Sequence, residues 1–298
     1  MKVAVVGTGR MGSAMARAFA RGGAEVVLYN RTAARCAELA DEIGARVAGS
    51  AADAAADTDV AITMLADGEA VRQMWHGAEG LVAGAHDSGV LVDMSTVPPD
   101  TLTGFEAAVR ERGSGILDAP VSGSTKLAES GQLTIMAGGM AADLERARPA
   151  LDLVAKQVTH IGPLGSGAAL KLAVNALIFA LNNSLSEALV LAEAAGIDRA
   201  VAYDVFASSA AGSPYVGYKR EAFVTPDAIQ VAFSMDLAAK DLRLILDLAD
   251  RLGAPMAQTR VNQQMVREAA ERLGDDRDAS AVAVHLRMRA EEGSQAKV

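Results

Sequence analysis

The sequence predicts a doubly wound α/β domain over residues 1–162, followed by an all-helical domain over residues 163–298. Three observations carry this expectation. Short β-rich runs alternate with helical stretches as far as Ile161, a glycine-rich turn follows the first run, and after Gly162-Pro163 only helical patterns remain. Strand–helix alternation at this spacing reads as βαβ units around a parallel sheet.

In chain order the expected strands are Lys2–Val6, Glu25–Tyr29, Arg46–Ala48, Val60–Met64, Val90–Asp93, Gly115–Asp118, Leu133–Ala137 and Val158–Ile161. The early runs are apolar throughout rather than alternating, as strands covered on both faces should be. Helical stretches lie between them at Met11–Arg21, Ala33–Ile43, Pro99–Arg112 and Ala142–Ala155. Beyond residue 163, Ala168–Ala195 lacks Gly and Pro and is apolar on more than one face, so it should be buried on several sides. It reads as a spine joining the two domains. Helical patterns continue at Arg199–Ser208, Met235–Leu252, Ala257–Leu273 and Ala279–Arg289, and Glu291–Val298 is expected to fray.

Composition narrows the function. The chain has 298 residues, 51% hydrophobic and 22% charged, which excludes a disordered chain. A net charge of −9 argues against a nucleic-acid partner. The longest apolar stretch, Leu172–Leu181, is interrupted by Asn175 and falls short of the roughly 20 residues a span needs, so no membrane partner is expected. Cys36 is the one cysteine and is expected on a half-buried helix face; a reducing, cytoplasmic setting fits.

Gly7-Thr8-Gly9-Arg10-Met11-Gly12 follows the first strand and opens the first helix. In that context a GxGxxG turn is a dinucleotide-binding fingerprint and the domain reads as Rossmann-type. The first glycine allows the tight turn, the second admits a pyrophosphate and the third lets helix and strand pack closely. The N–H groups of the helix start would meet the phosphate charge. At the end of the second strand stand Asn30, Arg31 and Thr32, where NAD-binding units usually place an acid. A carboxylate there would repel a 2′-phosphate, whereas Arg31 would pair with it and Asn30 and Thr32 could hydrogen-bond it. NADP(H) is therefore expected, with NAD(H) as the weaker cofactor.

Ligands in open α/β sheets sit beyond the carboxyl ends of strands. Leu65-Ala66-Asp67, Ser95-Thr96 and Ser122-Gly123-Ser124 all occupy such positions, and each could equally serve as a cap or turn. Gly167, Lys171 and Asn175 are spaced by four near the start of the long helix and share one face. The missing side chain of Gly167 is expected to leave room for a ligand. Lys171, among Leu172, Ala173 and Val174, could act there as a general acid; a snorkelling lysine is the bland alternative.

These residues resemble the β-hydroxyacid dehydrogenase family, which includes 3-hydroxyisobutyrate dehydrogenases and glyoxylate/succinic semialdehyde reductases. The matching motifs are Val6–Gly12, Asp93–Pro99, Asp118–Ser124 continuing through Gly131–Ile135, Gly167–Asn175, and Phe233–Leu242. The resemblance implies a 6-phosphogluconate dehydrogenase-like architecture, with the site in the cleft between the domains. It implies a reductase of small aldehyde or keto acids. Lys171 would be the general acid/base and Asn175 its orienting partner. Ser122, with the N–H groups around Gly123 and Ser124, would hold a substrate carboxylate. Thr96 would lie near nicotinamide and substrate, Phe233 would cover the site, Lys240 would contact cofactor, and Asp241 would be nearby, on the substrate side. Leu65 and Ala66 would border the cofactor. The implied partners are a small carboxylated aldehyde or hydroxy acid and further copies of the chain, as homodimer or homotetramer.

Two departures bear on the substrate. Val174 stands where phosphogluconate-acting relatives place a histidine, and Lys171 stands where imine reductases usually carry Asp or Tyr. An imine reductase and a non-catalytic NADP-binding module remain as alternatives. Tyr215, Tyr218, Lys219 and Arg220 could line the substrate site or serve a structural or interface role, the second being favoured. His76, His86, His160 and His285 read as surface or strand-end residues without metal-ligand spacing. Asp275-Asp276-Arg277-Asp278 reads as a solvated loop.

Overall fold

The computed structural model describes residues 1–229 and 231–295. The chain divides into two compact units, Met1–Lys171 and Leu172–Val298.

The first unit is built on a nine-stranded sheet. Its strands are β1 (Lys2–Val6), β2 (Glu25–Tyr29), β3 (Arg46–Val47), β4 (Val60–Thr63), β5 (Val90–Asp93), β6 (Gly115–Asp118), β7 (Val121–Ser122), β8 (Leu133–Gly139) and β9 (Ala155–Gly162). The order runs β3-β2-β1-β4-β5-β6-β8-β7, with β9 on β8. The six strands β1 to β6 are all parallel, in the order of a dinucleotide-binding fold, and the strand order reverses between β1 and β4. The parallel expectation fails beyond β6: β8 runs antiparallel to both β6 and β7. A short connection through α6 (Thr125–Glu129) turns the chain back without a crossover.

Successive side chains of β1 explain its unbroken apolar text. Val3 and Val5 enter a core with Met15, Phe19 and Leu28, while Ala4 and Val6 enter a second core with Trp75, Leu81 and Leu102 on the other face. The helices of this unit are α1 (Arg10–Arg21), α2 (Ala34–Ile43), α3 (Ala51–Ala55), α4 (Gly68–Trp75), α5 (Glu106–Glu111), α6 and α7 (Ala141–Leu151). Two expected helices are shorter than the pattern indicated. Pro99–Arg112 resolves into a 3₁₀ turn at Thr103–Phe105 and then α5, with Gly104 breaking the run. Ala142–Ala155 stops at Leu151, because Ala155 already pairs with Leu133 as the start of β9.

Helix α8 (Ser166–Ala194) begins in the first unit and continues into the second. By length and composition it could cross a membrane. Its buried polar residues have protein partners, although only 39% of its apolar window is buried, less than the expected burial on several sides. Asn183 Nδ2 donates to Asn262 Oδ1 at 3.2 Å, Asn182 Oδ1 accepts from Tyr215 Oη at 2.8 Å, and Ser186 is fully buried. The second unit continues with α9 (Arg199–Ser208), α10 (Pro214–Tyr218), α11 (Arg220–Val224), α12 (Met235–Leu252), α13 (Ala257–Leu273) and α14 (Val282–Gln295). The expected Ala279–Arg289 helix is a 3₁₀ turn at Ala279–Ala281 leading into α14. Fraying was expected from Glu291; α14 runs on to Gln295, and residues 296–298 lie outside the described residues. Leu172, Phe179, Met235, Leu242, Val266 and Val282 form the centre of this unit.

Candidate active site

The turn after β1 has the geometry that a bound pyrophosphate requires. Gly7 has φ +105°, and a Cβ there would overlap the carbonyl oxygen of Met64. A Cβ on Gly12 would overlap the carbonyl oxygen of Gly7, so only glycine lets α1 start this close to β1. Gly9 differs: a Cβ there would meet nothing within 4 Å. It is the N-cap of α1, and no side chain caps the helix. Open space in front of a helix N-terminus is a fitting cradle for the phosphates of a dinucleotide.

Asn30 ties this turn to the end of β2. Its Oδ1 accepts the Thr8 N–H at 3.4 Å and its Nδ2 donates to the Thr32 carbonyl at 3.1 Å. Arg31 and Thr32 are exposed beside it, as are Gly9 and Arg10, while Met11 is half-buried. Beneath the turn, Cys36 lies 3.8 Å from Thr8 Oγ1. It is fully buried rather than half-buried, because α2 turns it into the core with Leu39, and burial pushes its thiol up.

The neighbouring strand ends are held by a buried acid. Asp93, closing β5, accepts Thr63 Oγ1 at 2.6 Å and Ser95 Oγ at 2.7 Å on one oxygen. Ser95 Oγ in turn accepts the Leu65 N–H at 2.9 Å. Burial pushes the Asp93 carboxyl up to about 6, against the pull of the two hydroxyls. The Leu65 amide is thus committed to Ser95, leaving Ala66 and half-buried Thr96 as the following residues on the two loops. Asp67 caps α4 by accepting the Ala70 N–H.

Ser122 ends β7 and is half-buried, with Gly123 beside it. Ser124 caps α6, accepting the Leu127 N–H at 3.3 Å, so its hydroxyl already has a structural task.

Asp118, closing β6, grips the start of α8. Its Oδ1 accepts the Gly165 N–H at 2.7 Å and its Oδ2 the Ala168 N–H at 2.6 Å. Burial pushes this carboxyl up to about 6 despite those amides. Gly167 does not leave room for a ligand, contrary to expectation. A Cβ there would overlap the Met136 carbonyl oxygen and lie 2.9 Å from Asp118 Oδ2. It is glycine because α8 begins against the sheet. Half-buried Lys171 stands on the helix so anchored, one turn before Asn175.

Within the second unit, buried Asn175 donates from Nδ2 to Asp241 Oδ2 at 2.7 Å. Lys240 Nζ lies 3.0 Å from Asp241 Oδ1. Asp241 is therefore engaged on both oxygens by protein groups and is 1% exposed. Half-buried Phe233 packs on Phe179, ring centres 6.1 Å apart.

Tyr215, Tyr218, Lys219 and Arg220 each have a partner within the second unit. Tyr215 donates to Asn182, Tyr218 meets Tyr215 edge-on, Arg220 pairs with Asp204, and Lys219 is buried against Asp278. Two discounted residues are not on the surface. Asp278, on the segment before α14, and His285, on α14 itself, are 4% and 5% exposed. Among the described residues no cluster could hold a metal ion.

The family model for the NAD binding domain of 6-phosphogluconate dehydrogenase matches residues 2–162. That for the NAD-binding of NADP-dependent 3-hydroxyisobutyrate dehydrogenase matches residues 165–286. The chain belongs to the β-hydroxyacid dehydrogenase family. This dehydrogenase is 33% identical over 296 residues to 3-sulfolactaldehyde reductase of Escherichia coli, covering 99% of this chain and 98% of that one. It is 32% identical over 283 residues to 2-(hydroxymethyl)glutarate dehydrogenase of Eubacterium barkeri, covering 95% and 93%. Its structure is similar to that of Mycobacterium tuberculosis 3-hydroxyisobutyrate dehydrogenase with L-serine, with a TM-score of 0.83 and 30% identity, covering 96% and 99%. The dehydrogenase is thus an NAD(P)-dependent oxidoreductase, and the glycine turn fits that cofactor.

Asp93 and Asp118 were not singled out from the sequence as site residues. Each ends a buried apolar strand, and an acid in that position was the available signal.

Proposed function

We propose that this dehydrogenase reduces small carboxylated aldehydes or keto acids, of the glyoxylate and succinic semialdehyde type, with NADPH preferred over NADH. The observation that carries the reading is the grip of Asp118 on Gly165 and Ala168, which fixes the helix start on which Lys171 stands. When bound, the nicotinamide cofactor supplies the hydride. Lys171 gives its proton to the substrate carbonyl oxygen, and takes one from the hydroxyl in the reverse direction. Asn175, steadied by Asp241, orients the substrate. Ser122, with the amides around Gly123 and Ser124, holds the carboxylate, and Thr96 and Phe233 border the reacting carbon. Gly7 to Gly12, Leu65, Ala66 and Lys240 hold the cofactor.

The names of the three relatives share a chemistry: a hydroxyl or aldehyde close to an anionic group. That supports an acid substrate. Exposed Arg31 beside Asn30, with no carboxylate at the end of β2, supports the 2′-phosphate. Leu177 and Leu191 on α8 are 63% and 73% exposed, which supports a homodimer or homotetramer. The lone, buried thiol suits a reducing cytoplasm.

The test follows loss of NADPH and NADH absorbance with glyoxylate, succinic semialdehyde, methylmalonate semialdehyde and one cyclic imine, for wild type and Lys171→Ala. NADPH-preferred turnover of a carboxylated aldehyde is expected. Lys171→Ala should keep cofactor binding and lose about 100-fold or more in turnover. Unchanged turnover would remove Lys171 from its role, and turnover of the imine alone would replace the substrate class.

A further inference from the structure

Between α13 and α14, Asp278 accepts hydrogen bonds from four residues. Lys219 Nζ donates to its Oδ1 at 2.8 Å and its Oδ2 at 3.1 Å. The N–H groups of Ala232 and Phe233 donate to Oδ2 at 3.1 and 3.2 Å, and that of Ser280 to Oδ1 at 3.0 Å. The same two segments are knitted by backbone bonds from Ala279 N–H to Phe233 O and from Met235 N–H to Arg277 O, at 2.9 and 2.8 Å.

A buried ion pair is weak evidence for stability, since apolar side chains fill such space as well. What an apolar pair cannot do is accept two adjacent amides of the segment entering α12. That segment carries Phe233, and the helix it opens carries Lys240 and Asp241, the latter bonded to Asn175. Burial pushes the Asp278 carboxyl up, but the Lys219 ammonium and the hydrogen bonds from Ser280 together reverse this and leave it below the ordinary carboxylate value.

We propose that Lys219 and Asp278 are positioning residues of the active site: Asp278 sets Phe233 and the start of α12 through their backbone amides, and Lys219 holds Asp278 in place. Neither touches substrate. The inference rests on the reading that Phe233 borders the substrate.

The test compares wild type with Asp278→Asn, Lys219→Met and the double variant Lys219→Met/Asp278→Asn, which leaves no unpaired buried charge if either single variant fails to fold. KM for the carboxylated aldehyde should rise about tenfold in the variants that fold. Amide hydrogen exchange at Ala232 and Phe233 should quicken, with the Val266 amide in α13 unchanged. In a Phe233→Ala background, adding Asp278→Asn should raise KM by less than it does in wild type. A lowered melting temperature with unchanged KM would overturn the inference, as would additive effects of Phe233→Ala and Asp278→Asn. A wild-type enzyme silent on every carboxylated aldehyde would instead sink the substrate reading. Exchange at Ala232 and Phe233 still decides in that case whether the pair holds the segment: quickened exchange supports the inference and unchanged exchange overturns it.

Discussion

Asn175 on α8 and Asp241 on α12 are joined by a 2.7 Å hydrogen bond between groups that are 7% and 1% exposed. The bond gives the Asn175 amide one orientation: Nδ2 is turned to Asp241. Lys240 approaches the other oxygen of the same carboxylate. Removing Asp241 therefore takes the acceptor from the Asn175 amide and a carboxylate from beside Lys240. Asp241→Ala should lower stability by about 3 kcal/mol, the range for breaking a buried pair from one side. In denaturant unfolding, Asn175→Ala and Asp241→Ala should combine to less than their sum. Full additivity would mean that the bond has no energetic weight.

The two glycines Gly9 and Gly12 should respond oppositely to the same substitution. Gly9 has φ −71°, which alanine adopts freely, and its Cβ would point into open space. Gly9→Ala should fold within about 0.5 kcal/mol of wild type and bind NADPH much more weakly. Gly12→Ala drives a methyl into the Gly7 carbonyl and should impair folding itself. Calorimetry with and without NADPH separates the two. Undiminished NADPH affinity in Gly9→Ala would place the phosphates elsewhere.

Cofactor choice should follow Arg31 and Asn30. Arg31→Ala should raise KM for NADPH by about tenfold or more and leave that for NADH nearly unchanged. Asn30→Asp keeps an acceptor for the Thr8 N–H but puts a carboxylate at the end of β2. It should move preference toward NADH. Equal effects of Arg31→Ala on both cofactors would remove the 2′-phosphate from the account.

The buried acids set a pH dependence whose sign is unusual for aspartate. Asp93 and Asp118 titrate at about 6 in the folded chain, against about 3.9 unfolded. Between those values the native state holds the extra protons. The stability these groups contribute is complete below the unfolded value and is lost as pH rises through the folded one. Asp93→Asn cannot titrate. Its stability difference from wild type should therefore change between about pH 4 and 6 and level off above that. A difference constant over the whole interval would show that Asp93 stays ionised in the fold.

Much of this dehydrogenase is legible locally. The strands Lys2–Val6, Glu25–Tyr29, Val90–Asp93 and Gly115–Asp118 and the helices Arg199–Ser208, Met235–Leu252 and Ala257–Leu273 have the bounds their patterns predict. All but Arg199–Ser208, which ends at Ser209, are periodic or apolar runs ended by Gly, Asn or Asp, and such signals need no distant partner. The dinucleotide turn is legible for the same reason. Its three glycines lie within six residues at the end of one strand, although the carbonyl that crowds Gly7 belongs to distant Met64.

What the sequence by itself determined is therefore the alternation of elements, the cofactor turn, the helix bearing Lys171 and Asn175, and the family. Only the tertiary structure decided which polar groups are shut away and what they hold. Gly167 looked like space for a ligand and is a contact with the sheet. Asp278 looked solvated and is closed over by Lys219, 59 positions earlier in the chain. Asp118 is 50 positions from the Ala168 amide it accepts. A carboxylate's burial and partners come from elements far away in sequence, and no local pattern encodes them. The physical reason is that burying a charge is unfavourable until those distant donors arrive, so its role exists only in the folded chain.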